Sequence, residues 1–368
     1  MTLLHARRLA VLLAAFLAFP LFSQTPAGEG SWHERSLFIA GLTKPDGQGL
    51  GAFAKNPGYA NHAQLMGAAW AFEKTNSLDR ITEWRKAELP GVPADQEVFY
   101  PLGGADLPNA MTFFPDAPRY TFIALEAVGQ MPPLTAANHD AWMKGLPGIR
   151  QTFQAMCGLN YFESRMLRVA WSNQTVNGVL PLFLSFIVRM DGEVLSVSNF
   201  TLDASGQKVY TTETGKPGLE IRFKKGEAIK TVEYHQMYLD DKLLTNHTPE
   251  GQYLKNRPTG ITLLKSAVYL YFWDSEALLK ELTLQKSTLV LQDDSGIPYA
   301  SFNSPAWKGS FYGMYSKPGP VGGIEKVPYQ KDLEAAYAKG AKPFNFNYGY
   351  GILWGKNRAN MMVFRRSE

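Results

Sequence analysis

Four acidic residues are the candidates for catalysis in this sequence: Asp106, Glu126, Asp293 and Asp294. Carboxyl groups serve as general acids and bases, and cleavage of a glycosidic bond uses two of them across one cleft. Asp106 follows the pair Gly103–Gly104, which either lets a ligand approach the backbone or simply makes a bend. Convergence of at least two of the four acids would therefore predict a hydrolase.

Each of these acids also has a structural interpretation. Asp293 and Asp294 follow an apolar run typical of a strand and precede Ser295–Gly296, and aspartate is favoured in turns because it accepts hydrogen bonds from nearby backbone. Strand-end loops are equally where catalytic groups often lie. Glu126 lies in the apolar segment Ile123–Val128, where a carboxylate needs a Lys or Arg partner or a raised pKa. Both interpretations stay open.

Four aromatic residues, Phe344, Phe346, Tyr348 and Tyr350, alternate with Asn and Gly. Side chains of a strand switch faces at each residue, so the alternation predicts a strand with its aromatic rings on one side. One interpretation is a strand that packs its rings against the core. The other is an exposed aromatic platform that binds sugar rings.

Motifs for other chemistries are absent or incomplete, so the sequence predicts no metal site and no cofactor. No two of the six histidines have the H-E-x-x-H spacing, and the string G-x-S-x-G does not occur. Ser205–Lys208 matches S-x-x-K but falls in a predicted turn. Gly47–Gly51 lacks the Lys and Ser or Thr of a phosphate-binding loop. Cys157 falls on the apolar face of a predicted helix that begins at Pro147, so we expect it to be buried and unreactive.

Residues 1–23 have the three parts of a signal peptide: basic Arg7 and Arg8, the apolar run Leu9–Phe22, and the small Ser23. The run of about 14 residues is too short to span a membrane, which takes roughly 20. We therefore expect a cleaved signal peptide and a periplasmic or secreted mature protein.

Charge and composition limit the partners that we expect. Loss of the signal peptide lowers the formal net charge from +4 to +2, and no long basic run occurs. These features argue against nucleic acid. The apolar run Val179–Val188 is too short for a second membrane span and fits a buried element. An envelope component or a saccharide remains as the candidate ligand.

The pattern of elements predicts an α+β fold in two lobes. Residues 24–175 are helix-rich, with helices from about Asn61 and from Ser77, and residues 176–368 carry most of the predicted strands. We expect a mainly antiparallel sheet in the second lobe. A parallel α/β fold is disfavoured because strands and helices do not alternate regularly.

Three stretches, Phe99–Asp106, Phe113–Ala117 and Leu291–Tyr299, resemble a family of exported bacterial proteins without an assigned activity. The resemblance covers most of the mature chain. It implies a bacterial, envelope-facing setting and transfers no catalytic residue. Together with the missing catalytic motifs, it favours an exported binding protein, and an exported hydrolase with paired carboxylates is the alternative.

Overall fold

A ten-stranded sheet runs through the protein. The structure is a computed structural model that describes residues 30–159, 175–321, 326–354 and 359–367. The predicted signal peptide lies outside these residues. The strands are β1 (Val98–Pro101), β2 (Arg119–Ala124), β3 (Glu193–Leu202), β4 (Lys208–Thr211), β5 (Gly218–Lys225), β6 (Ala228–Gln236), β7 (Gly260–Leu264), β8 (Ser287–Gln292), β9 (Trp307–Gly313) and β10 (Asn360–Arg366). Their order in the sheet is β4-β3-β5-β6-β2-β1-β7-β8-β10-β9.

The centre of the sheet is parallel and its two flanks are antiparallel. Strands β6, β2, β1, β7 and β8 run in one direction, which accounts for four of the nine pairings. The other five pairings are antiparallel. The predicted α+β class is confirmed. The parallel centre was not predicted, because pairing direction depends on crossovers between distant segments, which strand periodicity does not encode.

Helices cover both sides of the sheet and bury alternate strand residues. In β1, Val98 and Tyr100 point to the first side and Phe99 to the second, as a period of two requires. The first side carries α1 (Trp32–Ile39), α2 (Gly51–Ala54), α3 (Pro57–Glu73), α4 (Asp79–Glu88), α5 (Leu107–Phe113), α6 (His139–Leu159) and α7 (Leu180–Arg189). The second side carries α8 (Pro249–Asn256), α9 (Ala277–Lys286) and α10 (Lys331–Ala338).

The predicted arrangement in two lobes is not confirmed. Strands β1 and β2 come from the half that was predicted to be helix-rich, yet they lie in the middle of the sheet. Strands from residues 176–368 flank them on both sides. The division at about residue 175 therefore does not divide the sheet.

Two local predictions were wrong, and one was confirmed. Helix α6 begins at His139, so Pro147 lies inside it and not in its first turn. The aromatic segment that ends at Tyr350 forms no strand, and its last residues enter the 3₁₀ helix Gly349–Trp354. Val179–Val188 is a buried element, as predicted, and forms most of α7. Within the described residues, no helix has the length and apolar character that crossing a membrane requires.

Candidate functional site

The parallel strands create a topological switch point. Strand β2 lies on one side of β1, whereas β7, the next parallel strand on the other side, comes much later in the chain. In open sheets of parallel strands, ligands bind outside the carboxyl ends of the strands where the order reverses. The carboxyl ends of β1 and β7 are therefore where a site is expected.

Asp106 and Lys265 form a buried ion pair at this point. The Asp106 Oδ2 atom lies 2.5 Å from Lys265 Nζ, and 6% and 1% of the two side chains are exposed. Tyr100 donates its hydroxyl to Oδ2 at 2.8 Å, and Asn109 Nδ2 donates to Oδ1 at 2.7 Å. Asp106 is the N-cap residue of α5, but its side chain accepts no capping hydrogen bond from the helix backbone. Its carboxylate is thus committed to the ion pair rather than to the helix.

Asp293 lies beside this pair. Its carboxylate accepts hydrogen bonds from the backbone of Ser266 and Tyr350, both at 3.2 Å, and from the Ser295 hydroxyl at 2.5 Å. Lys265 and Ser266 are consecutive residues, so one short segment at the end of β7 contacts both Asp106 and Asp293. Burial, reinforced by the charge of Asp294, raises the pKa of Asp293 to about 7.

Asp294 has different hydrogen-bond partners from Asp293. It accepts a hydrogen bond from Tyr269 Oη at 2.9 Å and another from Asn360 Nδ2 at 2.9 Å. Burial raises its pKa. The predicted turn is confirmed, because Gly296 N donates to the Asp293 carbonyl at 3.2 Å. The two acids are nevertheless fully buried, so the turn also places carboxyl groups in the interior.

Glu73 is a further acid at this site that the sequence analysis missed. It ends α3, is 4% exposed, and is followed by the π-helical turn Lys74–Leu78. Burial raises its pKa to about 7, and the charge of Asp106 adds to the effect of burial while Lys265 opposes it. Turns of π-helix occur often at functional sites. The helical spacing of the buried residues Tyr59, Met66 and Glu73 could have indicated that this acid faces inward.

The backbone around the switch point is strained. Leu102, Ser266, Val268 and Tyr269 have positive φ angles of 64°, 55°, 55° and 57°. L-residues rarely adopt this region, and a β-branched residue such as Val268 is an outlier there. Within the described residues, Asp191 is the one other non-glycine residue with positive φ. Such strain clusters at functional sites, because the surrounding fold must enforce it.

Glu126 follows the carboxyl end of β2, and in the described part of the chain no ion pair joins it to Lys or Arg. It is 8% exposed, and its Oε2 atom is buried without a hydrogen-bond partner. The structural interpretation, a buried cationic partner, is therefore not what the described residues show. No contact in this part of the chain joins Glu126 to Asp106 or Asp293.

The predicted aromatic platform is not exposed. Phe346, Tyr348 and Tyr350 are 5%, 0% and 6% exposed, and Phe344 is half-buried. Tyr348 donates its hydroxyl to the carbonyl of Leu264 at 2.8 Å, and Tyr350 donates to that of Ser266 at 3.0 Å. The core interpretation of these rings is thus correct, and two of them fix the end of β7.

A second buried carboxylate network lies on the other side of the sheet, around Glu233 in β6. Its Oε1 atom accepts hydrogen bonds from His235 Nε2 at 2.8 Å and Tyr253 Oη at 2.6 Å. Its Oε2 atom pairs with Lys208 at 2.6 Å and with Arg119. Burial raises the pKa of Glu233, but the His235 hydrogen bond and the cations outweigh burial and hold the pKa well below its ordinary value.

Cys157 is buried in α6, as predicted. Burial and the nearby Glu73 carboxylate raise the pKa of its thiol well above the ordinary range, so a thiolate does not form at neutral pH. Within the described ranges, no three His, Cys, Asp or Glu side chains are grouped so that they could hold a metal ion.

Comparison of the chain with protein-family models, with curated proteins and with solved structures finds no match. The geometry of the site is therefore what supports the proposals below.

Proposed function

We propose that this protein is an exported hydrolase that acts through the carboxyl groups at the switch point. One observation carries this proposal: Asp106 pairs with Lys265, and Asp293 accepts a hydrogen bond from the backbone of Ser266. Lys265 and Ser266 are consecutive residues, so their Cα atoms are about 3.8 Å apart. The strained backbone of the same segment adds support.

The acids at this site have different roles in the proposed reaction. Glu73, with a pKa of about 7, is available in both protonation states near neutral pH and serves as general acid or base. Lys265 pairs with Asp106 and supplies a positive charge close to the oxygen on which negative charge develops. Asp293 positions the strained segment by accepting hydrogen bonds from Ser266 and Tyr350.

Nitrophenyl esters, phosphates and glycosides test this proposal. We expect hydrolysis of at least one class, and we expect Asp106→Asn to lower kcat/KM on the order of 10²-fold to 10⁴-fold, the usual contribution of acid–base groups. Asp332→Asn, an exposed acid at the start of α10, is the matched control and should leave the rate unchanged. Absence of hydrolysis of all three classes, or equal rates for the two variants, would contradict the proposal.

The pH profile tests the role of Glu73 separately. A rate that depends on Glu73 should change with an apparent pKa near 7, and Glu73→Gln should remove that limb. A limb that persists in Glu73→Gln would assign the role to another group.

A second candidate function, binding of a saccharide without catalysis, is favoured by an aromatic cavity of about 430 Å³. Trp307, Gly309 and Phe311 line it from one face of β9, and Gly309 leaves a gap between the two rings. Phe302 and Phe364, stacked 3.8 Å apart, also line it. Such aromatic surfaces suit the apolar face of a sugar ring.

Calorimetry with cellobiose and N-acetylglucosamine tests this candidate. We expect binding that Trp307→Ala abolishes. Gly309→Ala should weaken binding, because its Cβ would lie 3.0 Å from the Phe364 ring and fill the gap. Binding that both variants retain would place the ligand elsewhere, and no binding of either sugar would remove this candidate.

Export remains part of the proposal and has its own test. N-terminal sequencing of the protein recovered from outside the cytoplasm should begin near Gln24. An intact leader on the mature protein would contradict the expected cleavage.

A further inference from the structure

Glu126 has a buried carboxylate oxygen atom that no described residue binds. The side chain is 8% exposed, and its Oε2 atom has no hydrogen-bond partner among the residues that the structure describes. Buried polar atoms in native proteins almost always have a hydrogen-bond partner. Burial of a carboxylate without a partner costs more free energy than burial of a neutral polar group. This oxygen atom is therefore available to accept a hydrogen bond from a ligand.

The backbone around Glu126 is firmly held, so the orphan oxygen does not result from a loose loop. The carbonyl of Glu126 accepts a hydrogen bond from Tyr234 Oη at 2.6 Å. The next two carbonyls accept from Val179 N at 3.1 Å and from Leu180 N at 3.0 Å, at the start of α7. The positive end of the α7 dipole favours a negative charge nearby, but it forms no hydrogen bond with the Glu126 Oε2 atom.

Glu126 lies on the same side and the same edge of the sheet as the Asp106–Lys265 pair. Ala124 and Val128 on either side of it belong to the core of the first side, as Tyr100 does. Strand β2 is the direct neighbour of β1, and neighbouring strands are about 4.8 Å apart. Glu126 and Asp106 therefore follow the carboxyl ends of neighbouring strands, at one edge of the sheet.

We propose that Glu126 binds a cationic group of the substrate, an ammonium or guanidinium, while the bond to be cleaved lies at Asp106 and Lys265. The position of the cleaved bond at Asp106 and Lys265 rests on the proposed function. A cation is the ligand class that fits, because a buried carboxylate is stabilised by a charged hydrogen-bond donor more than by a neutral one. Asp106 already has its cation in Lys265, whereas Glu126 has none among the described residues.

Thermal unfolding separates this role from a structural one. We expect Glu126→Gln to leave the midpoint unchanged or to raise it, because among the described residues no cation pairs with this carboxyl group and would lose its anion. Glu97→Gln is the matched control: Glu97 is 6% exposed and accepts a hydrogen bond from the buried Arg257 at 3.1 Å. It should lower the midpoint by several degrees. A loss in Glu126→Gln as large as that in Glu97→Gln would overturn the proposal.

Binding of butylammonium, with 1-butanol as its neutral isostere, completes the test. Millimolar butylammonium should raise the midpoint of the unmodified protein more than 1-butanol does, and Glu126→Gln should abolish the difference. Asp106→Asn should keep it, so that failure of hydrolysis and failure of cation binding are told apart. Equal shifts with both probes, or a Glu126→Gln protein that still distinguishes them, would overturn the proposal.

Discussion

The two buried carboxylate networks, one on each side of the sheet, differ in how their charge is balanced. Each oxygen of Glu233 accepts from two donors, and these donors come from β2, β4, β6 and α8. At the switch point, the described residues show one ion pair, between Asp106 and Lys265, and the charge of Lys265 also acts on Glu73. All four donors to Glu233 are thus described, whereas no ion pair with Asp293 or Glu73 occurs among the described residues.

The acids of the two networks differ in protonation at neutral pH. The pKa of Glu233 is held well below its ordinary value, so it is ionised and joins strands together. The pKa values of Glu73 and Asp293 are both raised to about 7, so a proton can come and go at neutral pH. Raised pKa values in one cluster of acids are typical of acid–base catalysis.

The largest effect should come from substituting the two glutamates in turn. Glu233→Gln leaves Lys208 and Arg119 without their anion, and we expect a loss of about 3 kcal/mol in the free energy of unfolding. This value is at the low end for buried pairs, because 37% of the Arg119 side chain is exposed. Glu73→Gln should not lower the free energy of unfolding at pH 7, because a neutral amide replaces a buried acid whose ionisation destabilises the folded state. Urea unfolding measures both. Equal losses would remove the distinction.

The pH dependence of stability should differ almost as much. Because the folded pKa of Glu73 is about 7 and its ordinary value is 4.5, the folded state holds the extra proton between these pH values. Its contribution is therefore fully present below about pH 4.5 and is lost as pH rises through 7, by up to about 3 kcal/mol. Glu73→Gln should lack this loss. Glu233 has the opposite sign: its contribution is present above pH 4.5 and is lost in acid.

The sequence indicated one of these networks better than the other. Asp106, Asp293 and Asp294 were found because each follows a strand or a glycine bend, which is local information. Lys265 was missed because its role depends on β7 lying beside β1 in the sheet. Glu73 was missed because its role depends on the end of α3 lying near Asp106 and Lys265. The same limit explains the strand that was wrongly predicted over Phe344–Tyr350, since alternation within a segment does not show whether a neighbouring strand pairs with it.

A smaller effect should follow from disturbing Asp293 through its neighbour Gly349. A Cβ atom at Gly349 would lie 1.8 Å from Asp293 Oδ2, and the residue has a φ of 63°. We expect Gly349→Ala to cost about 1–3 kcal/mol, from strain and from the displaced carboxylate. Gly215→Ala is the control, with a φ of 75° and open space around it, and should cost about 1 kcal/mol. Equal losses would show that Asp293 is not held there.

The smallest effect concerns Cys157. Because its thiol is buried and its pKa is raised, a disulfide reagent such as dithionitrobenzoate should not react with the folded protein at pH 8, and reaction should appear only on addition of urea. Rapid reaction of the native protein would mean that the interior beside Glu73 is open to solvent.

The most direct test of the difference between the two networks is a carboxyl ¹³C NMR titration of glutamate-labelled protein. We predict one resonance that titrates near pH 7 and disappears in Glu73→Gln, and another, lost in Glu233→Gln, that stays ionised well below pH 4.5. A Glu73 resonance that titrates at or below its ordinary value of 4.5 would remove the difference between the networks, because Glu73 would then hold no exchangeable proton at neutral pH.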